Sequence, residues 1–108
     1  CHAGAGTCFG EMNSPFGFLN ELEAIITTRR NASSAESYVA NLFEKGLNQI
    51  AQKVGEEAVE IVIAAKDADI DAFINEAADL VFHLLVLLSA KGVSLDAVAD
   101  VLQRRHEP

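Results

Sequence analysis

Apolar residues recur at helical spacing through most of the chain, and polar clusters punctuate them. Phe18, Leu19, Leu22, Ile25 and Ile26 repeat at i, i+3 and i+4. Ser14-Pro15 reads as a hydroxyl cap followed by proline at the first helical position, and Arg29-Arg30 suits the helix's C-terminal end. Asn31 to Ser34 is a polar break, and Ser33 with Glu36 has the spacing of a capping box. A short helix should carry Tyr38, Leu42 and Phe43, with Gly46 placed to end it. A third helix is predicted from about Leu47 to Lys66, with Leu47, Ile50, Val54, Ile61 and Ala65 on one flank. The polar turn Asp67–Asp71 supplies an N-cap for a fourth helix running to about Lys91. That helix has Phe73, Leu80, Leu84 and Leu87 as its stripe and Gly92 as its stop. Ser94 caps a fifth, whose apolar side is Leu95, Val98 and Leu102. No stretch alternates with the period of a strand. The expected fold class is all-α, a helical bundle of about five helices.

Residues 1–13 are glycine-rich without helical period and read as a tail, leaving 14–108 as the folded domain. A chain of 108 residues is one domain by size, and with half of its residues hydrophobic it has material for a core. Charge narrows the function. Eight Lys and Arg stand against sixteen Asp and Glu, a net charge of −8, and no basic surface suited to nucleic acid is visible. The longest uninterrupted apolar run of the fourth helix, Leu84–Leu88, is far shorter than a membrane span. No basic segment leads into an apolar one, so a cytoplasmic setting is expected. The two cysteines, Cys1 and Cys8, are then expected to be reduced thiols.

The chemistry concentrates on helices three and four. In KVGEEAVE, residues Lys53, Glu56, Glu57 and Glu60 fall on one helical face. On the next helix Glu76, Asp79 and His83 share a face. A short turn makes the two helices antiparallel neighbours, which brings Glu57-x-x-Glu60 towards Glu76-x-x-Asp79. Four carboxylates beside a core are untenable without cations. Oxygen donors alone select hard ions, Mg2+ or Mn2+. The alternative for any single acidic pair is a solvated face; the apolar flanks Val59, Ile61, Val62, Ala77, Leu80 and Val81 argue against it. An anionic substrate would meet this acidic protein through bridging divalent ions, and phosphoanhydride or phosphate-ester hydrolysis follows. Lys53 either meets a phosphate or pairs with Glu56 or Glu57. His83, inside VFHLL, is expected to be a hydrogen-bonded core residue. Gly55 either permits close approach to the helix or is merely tolerated.

KVGEEAVE followed by NEAADLVFHLLVLL, and preceded by SYVANLFEKG, resembles the phosphoribosyl-ATP pyrophosphohydrolase family over roughly Phe18 to His106. That family belongs to the MazG-like all-α nucleotide pyrophosphohydrolases. Its E-x-x-E and E-x-x-D pattern is matched by Glu57, Glu60, Glu76 and Asp79, with Glu56 as an extra acid. The resemblance implies magnesium-dependent hydrolysis of phosphoribosyl-ATP to phosphoribosyl-AMP and pyrophosphate in histidine biosynthesis, by a homodimer whose helices complete one bundle. It implies that the four motif carboxylates hold Mg2+ (Mn2+ as substitute). Glu56 would be a further ligand or orient water, and Lys53 would contact phosphate. Tyr38, Lys45 and Asn48 would be substrate contacts, with packing as the other role for Tyr38. A related enzyme hydrolysing other nucleoside triphosphates would share the acidic pattern, and a non-catalytic helical dimerisation module is the remaining alternative. A di-iron bundle wants Glu-x-x-His pairs; Ile63 follows Glu60 at that spacing, and Asp79 follows Glu76.

The segment CHAGAGTCF resembles part of phosphoribosyl-AMP cyclohydrolase, in which two such cysteines and a third upstream hold Zn2+. Ala3 stands where that family has threonine, and no third cysteine is present. Zn2+ is therefore expected only in an upstream domain, and no cyclohydrolase activity is expected of these residues. With Cys1 rather than methionine first, the chain is expected to be the carboxyl-terminal domain of a fused two-activity enzyme.

Overall fold

The structure is a computed structural model, and it describes residues 15–33 and 37–107. The expected Ser14 cap, the Glu36 partner of the capping box, and Cys1 and Cys8 lie outside the described residues. Five helices and no strand are present among the described residues: α1 (Pro15–Arg29), α2 (Tyr38–Lys45), α3 (Leu47–Ala64), α4 (Ile70–Ala90) and α5 (Leu95–Arg105).

Each boundary has a local cause. The α2 helix is capped by Ser37, whose Oγ accepts from the Ala40 N–H at 3.3 Å, so the helix starts one turn later than the Ser33 box anticipated. Buried Val39, Ala40 and Leu42 fix that start, because they place the helix's apolar side on the core. Gly46 serves both as the end of α2 and the start of α3, at φ 99° and ψ 175°. That region is essentially closed to other residues, which is why glycine stands there. Asp69 caps α4 by accepting from the Ala72 N–H at 3.1 Å, and Ser94 does the same for α5 through Ala97 at 3.2 Å. At the end of α4, Val93 N–H reaches the Leu88 carbonyl and Gly92 N–H the Ser89 carbonyl, with Gly92 at φ 70°. This is a Schellman ending.

The α3 and α4 helices form the principal hairpin. Ile26 of α1, Val39 and Leu42 of α2, Ile50 of α3, and Leu85 and Val86 of α4 form one core cluster, bordered by Leu22, Phe43, Phe82 and Leu95. Ile26, Ile50 and Val86 are wholly buried, each worth about 1.5–3 kcal/mol of transfer free energy. Helix α1 is tied down at two helix ends. Glu23 accepts from the Leu95 N–H at the start of α5, at 2.6 Å. Arg30 donates to the Ser89 carbonyl near the end of α4 and lies over the Phe43 ring at 4.7 Å. Both charges suit the partial charges of those helix termini.

The buried stripe of α4 matches the one read from periodicity only in part: Leu87 packs against the core and Phe73 and Leu80 are half-buried. Leu84 is exposed, and Phe82, His83, Leu85 and Val86 face inward instead. Helix α4 is apolar around most of its circumference, so period alone does not choose its inner side. The opposite side stays open in the single chain, with Ile74 at 56% and Val81 at 40% exposure; on α3, Val59 and Ile63 are 59% and 60% exposed. By length and composition α4 could also cross a membrane, which the uninterrupted apolar runs had not suggested. Leu85 and Val86 pack it into the core cluster, and Glu76 and Asp79 interrupt its apolar surface. Space around Gly55 is open, so no close approach within the chain requires glycine there.

Candidate active site

Where α3 and α4 approach their connecting turn, the side chains between them change from apolar to acidic. Glu57 of α3 and Glu76 and Asp79 of α4 each offer a carboxylate oxygen, and the three oxygens lie within 4.8 Å of one another. Of the three only Glu57 is buried; Glu76 is half-buried and Asp79 exposed, at the rim where the buried side of α4, His83 to Val86, gives way to solvent. Glu57 is only 6% exposed. Lys53 approaches one of its oxygens, Oε2, at 3.5 Å, while Oε1 is buried with no hydrogen-bond partner. An orphaned carboxylate oxygen costs a full desolvation penalty, of order 1–3 kcal/mol or more for a charged group.

The other acids behave differently. Glu60 is exposed and stands outside the group of three. Partial burial first, then the charges of Glu60, Asp79 and Glu57, raise the Glu76 pKa above its ordinary value. Glu56, next to Glu57, faces outward. It accepts from Gln52 Nε2 at 2.9 Å and pairs with Lys53 at 3.4 Å. The Gln52 hydrogen bond, and then Lys53, lower its pKa. For Lys53, partial burial works against the charged form. Contacts with Glu56 and Glu57, and the electrostatic influence of Tyr38, outweigh it and raise the pKa. Both sequence-level alternatives for Lys53 thus begin from a salt-bridged state.

His83 is 7% exposed and fully hydrogen-bonded, as its apolar surroundings suggested. Its Nδ1 lies 2.7 Å from the Asp79 carbonyl and its Nε2 lies 2.8 Å from the Tyr38 hydroxyl. A carbonyl only accepts, so Nδ1 carries the proton; in the neutral ring Nε2 then accepts from the Tyr38 O–H. Tyr38 itself is half-exposed, its ring stacked on Phe82 with centroids 6.2 Å apart. The Tyr38–His83 bond joins residues 45 apart and leaves no sequence signal; only the i, i+4 relation of Asp79 and His83 is visible in the sequence. Lys45 and Asn48, the remaining expected contacts, lie exposed on either side of Gly46 at the α2–α3 junction. A separate groove of about 580 Å³, lined by Glu23, Thr27, Arg30, Ser89 and Ser94 among others, shares no residue with the acidic group.

The donor set fits a divalent cation. Three convergent carboxylates, one of them buried with a free oxygen, supply oxygen ligands of the kind hard ions take. Fold and site together describe an all-α protein with a preformed acidic centre between two antiparallel helices. The family model "Phosphoribosyl-ATP pyrophosphohydrolase" matches residues 19–106, and the chain belongs to that family. Among curated relatives, the "Histidine biosynthesis bifunctional protein HisIE" of Bacteroides thetaiotaomicron is 48% identical over 107 residues, 98% of this chain and 53% of that protein. The proteins of the same name from Escherichia coli (strain K12) and Bacillus subtilis (strain 168) are each 44% identical, covering 99% and 98% of this chain and 53% and 54% of theirs. The chain spans about half the length of the curated relatives it matches.

Proposed function

We propose that this chain hydrolyses phosphoribosyl-ATP to phosphoribosyl-AMP and pyrophosphate in histidine biosynthesis, in the cytoplasm, with Mg2+ at the acidic centre, as one half of a two-activity polypeptide. Family membership supports the reaction. The observation that carries the site is Glu57, buried with an unpartnered oxygen that converges on Glu76 and Asp79. These three residues and Glu60 would hold the ion, which when bound neutralises the phosphates, polarises them and activates water.

The remaining work falls to the chain's own residues. Lys53 turns from Glu57 to meet a phosphate oxygen while it keeps its pairing with Glu56. Glu56 holds Lys53 in place from the solvent side and is the candidate for orienting water. Lys45 and Asn48 reach the substrate from the α2–α3 junction. The open apolar sides of α3 and α4, with Val59, Val62 and Ile63 facing outward beside Ile74, Val81 and Leu84, support pairing with a second copy. Pairing two such hairpins would complete the bundle.

Pyrophosphate release from phosphoribosyl-ATP, measured with and without Mg2+, tests the reading: turnover that needs the ion is expected. Glu57→Ala and Asp79→Ala should abolish it while leaving a folded dimer by sedimentation. Undiminished turnover in either variant would defeat the assignment of the centre. Hydrolysis of other nucleoside triphosphates in preference to phosphoribosyl-ATP would move the chain to a different substrate.

A further inference from the structure

Tyr38 is the only tyrosine in the chain, which has no tryptophan. Its hydroxyl is committed inward, to buried His83 at 2.8 Å, and His83 is in turn fixed to the Asp79 carbonyl at 2.7 Å. One side of its ring is backed by Phe82 at 6.2 Å, and the His83 ring meets it edge-on at 5.8 Å. Two neighbours, His83 and Phe82, thus set the ring's orientation, yet 52% of the residue remains open to solvent. An aromatic ring held so firmly with its polar tip turned away offers its surroundings one thing, an apolar π-face. That face stands one histidine away from Asp79 and within electrostatic reach of Lys53, at the edge of the acidic centre.

We infer that Tyr38, oriented by its bond to His83, is the platform on which the purine ring of the substrate stacks while the phosphates lie at the acidic centre. The inference rests on the reading of the centre as a nucleotide phosphoanhydride site. It turns the expectation of a Tyr38 contact into a specific one, with the base rather than a phosphate or the ribose. Stacking of a base on an aromatic side chain is worth about 1–3 kcal/mol, and it needs no hydrogen bond from the hydroxyl. The hydroxyl's commitment to His83 therefore costs the contact nothing and fixes its angle.

A lone tyrosine gives one ring spin system in the proton NMR spectrum of the intact chain. Adding phosphoribosyl-AMP with Mg2+ should shift the Tyr38 ring protons upfield and give Overhauser contacts to the purine protons. Inorganic pyrophosphate with Mg2+ should give neither. In steady-state hydrolysis Tyr38→Leu should raise KM about tenfold, the lower part of the stacking range. Tyr38→Phe, which keeps the ring, should raise it less. Circular dichroism of both variants separates a lost platform from a lost fold. The absence of purine contacts overturns the inference, as does an equal KM change in the two variants. Turnover of phosphoribosyl-ATP without those contacts sinks only the stacking role; contacts without turnover sink only the proposed reaction.

Discussion

Ile50 and Glu57 sit about two turns apart on the inner face of α3, and both are nearly sealed from water, at 2% and 6% exposure. Ile50 joins Leu85 and Val86 in an apolar cluster. Glu57 meets Glu76 and Asp79, with one oxygen left unpartnered. The same helix pair thus uses burial for opposite ends. Around Ile50, exclusion of water stabilises the fold. Around Glu57, it destabilises the free protein, because a carboxylate oxygen is buried without a hydrogen-bond partner beside two further acids. What is lost there is a centre already assembled for a cation. Function and stability are segregated by distance from the α3–α4 turn, and substitutions in the two regions should separate them.

Glu57→Gln should have the largest effect. Removing the charge of a ligand should lower turnover by at least about 100-fold, since even groups that only support ligands cost about 10–100-fold. The metal-free variant should melt close to the parent, because relief of the crowding with Glu76 and Asp79 offsets the lost Lys53 pair. Calorimetric Mg2+ titration and thermal melts in a chelator check the two halves. Ile50→Ala should do the reverse. Truncating a wholly enclosed side chain costs about 2–5 kcal/mol, read by denaturant unfolding, while turnover per folded molecule well below the melting point persists. A variant at Ile50 with full stability and lost turnover would erase the distinction between the regions.

The neighbours Glu56 and Glu57 draw the same contrast at the scale of one residue. Glu56 is exposed and satisfied by Gln52 and Lys53; Glu57 is buried, with Lys53 at one oxygen and no partner at the other. Glu56→Gln should lower kcat/KM about tenfold, the smaller end of what a group orienting a neighbour contributes. Its effect should fall mainly on KM if Glu56 works by holding Lys53 for a phosphate. A loss as deep as that of Glu57→Gln would place Glu56 among the ligands.

Much of this was legible in the sequence, for identifiable reasons. Asp69 and Ser94 announce their helices because a short side-chain oxygen before an apolar run satisfies amide groups that have no other partner. Gly46 and Gly92 mark ends because the backbone there takes positive φ. The convergence of Glu57 with Glu76 and Asp79 followed from helical spacing and a short connection. The inner stripe of α4 followed only in part, because Leu84 and Leu85 are equally apolar and only contact with α1, α2 and α3 decides which is buried. The start of α2 was misplaced for a similar reason: Ser33 and Ser37 lie one turn apart in chemically equivalent positions, and burial of Val39 and Leu42 selects the second. The distinction between Glu56 and Glu57 was invisible as well. Both lie on the motif face, and the helix phase that turns one inward is set by packing elsewhere.

The smallest effect is the most diagnostic of why the acidic region differs. The Glu76 pKa is raised in the folded chain by partial burial and by the charges of Glu60, Asp79 and Glu57. For an acid whose folded pKa exceeds its unfolded one, the folded state holds the proton more tightly between those values. Stability from this group is therefore present below the unfolded pKa and is lost as pH rises through the folded pKa. At neutral pH, without divalent ions, ionised Glu76 is a net cost. Glu76→Gln should then melt slightly higher than the parent in a chelator at pH 7, and the gap should close as pH falls through the raised pKa. Mg2+ should reverse the order, stabilising the parent more than the variant, because ligand binding to the folded state alone adds stability. The same pH series on Ile50→Ala should show a constant offset from the parent, since no proton is taken up at that site. If the Glu76→Gln gap were equally flat with pH, electrostatic crowding would not be what distinguishes the acidic end of the hairpin from its apolar one.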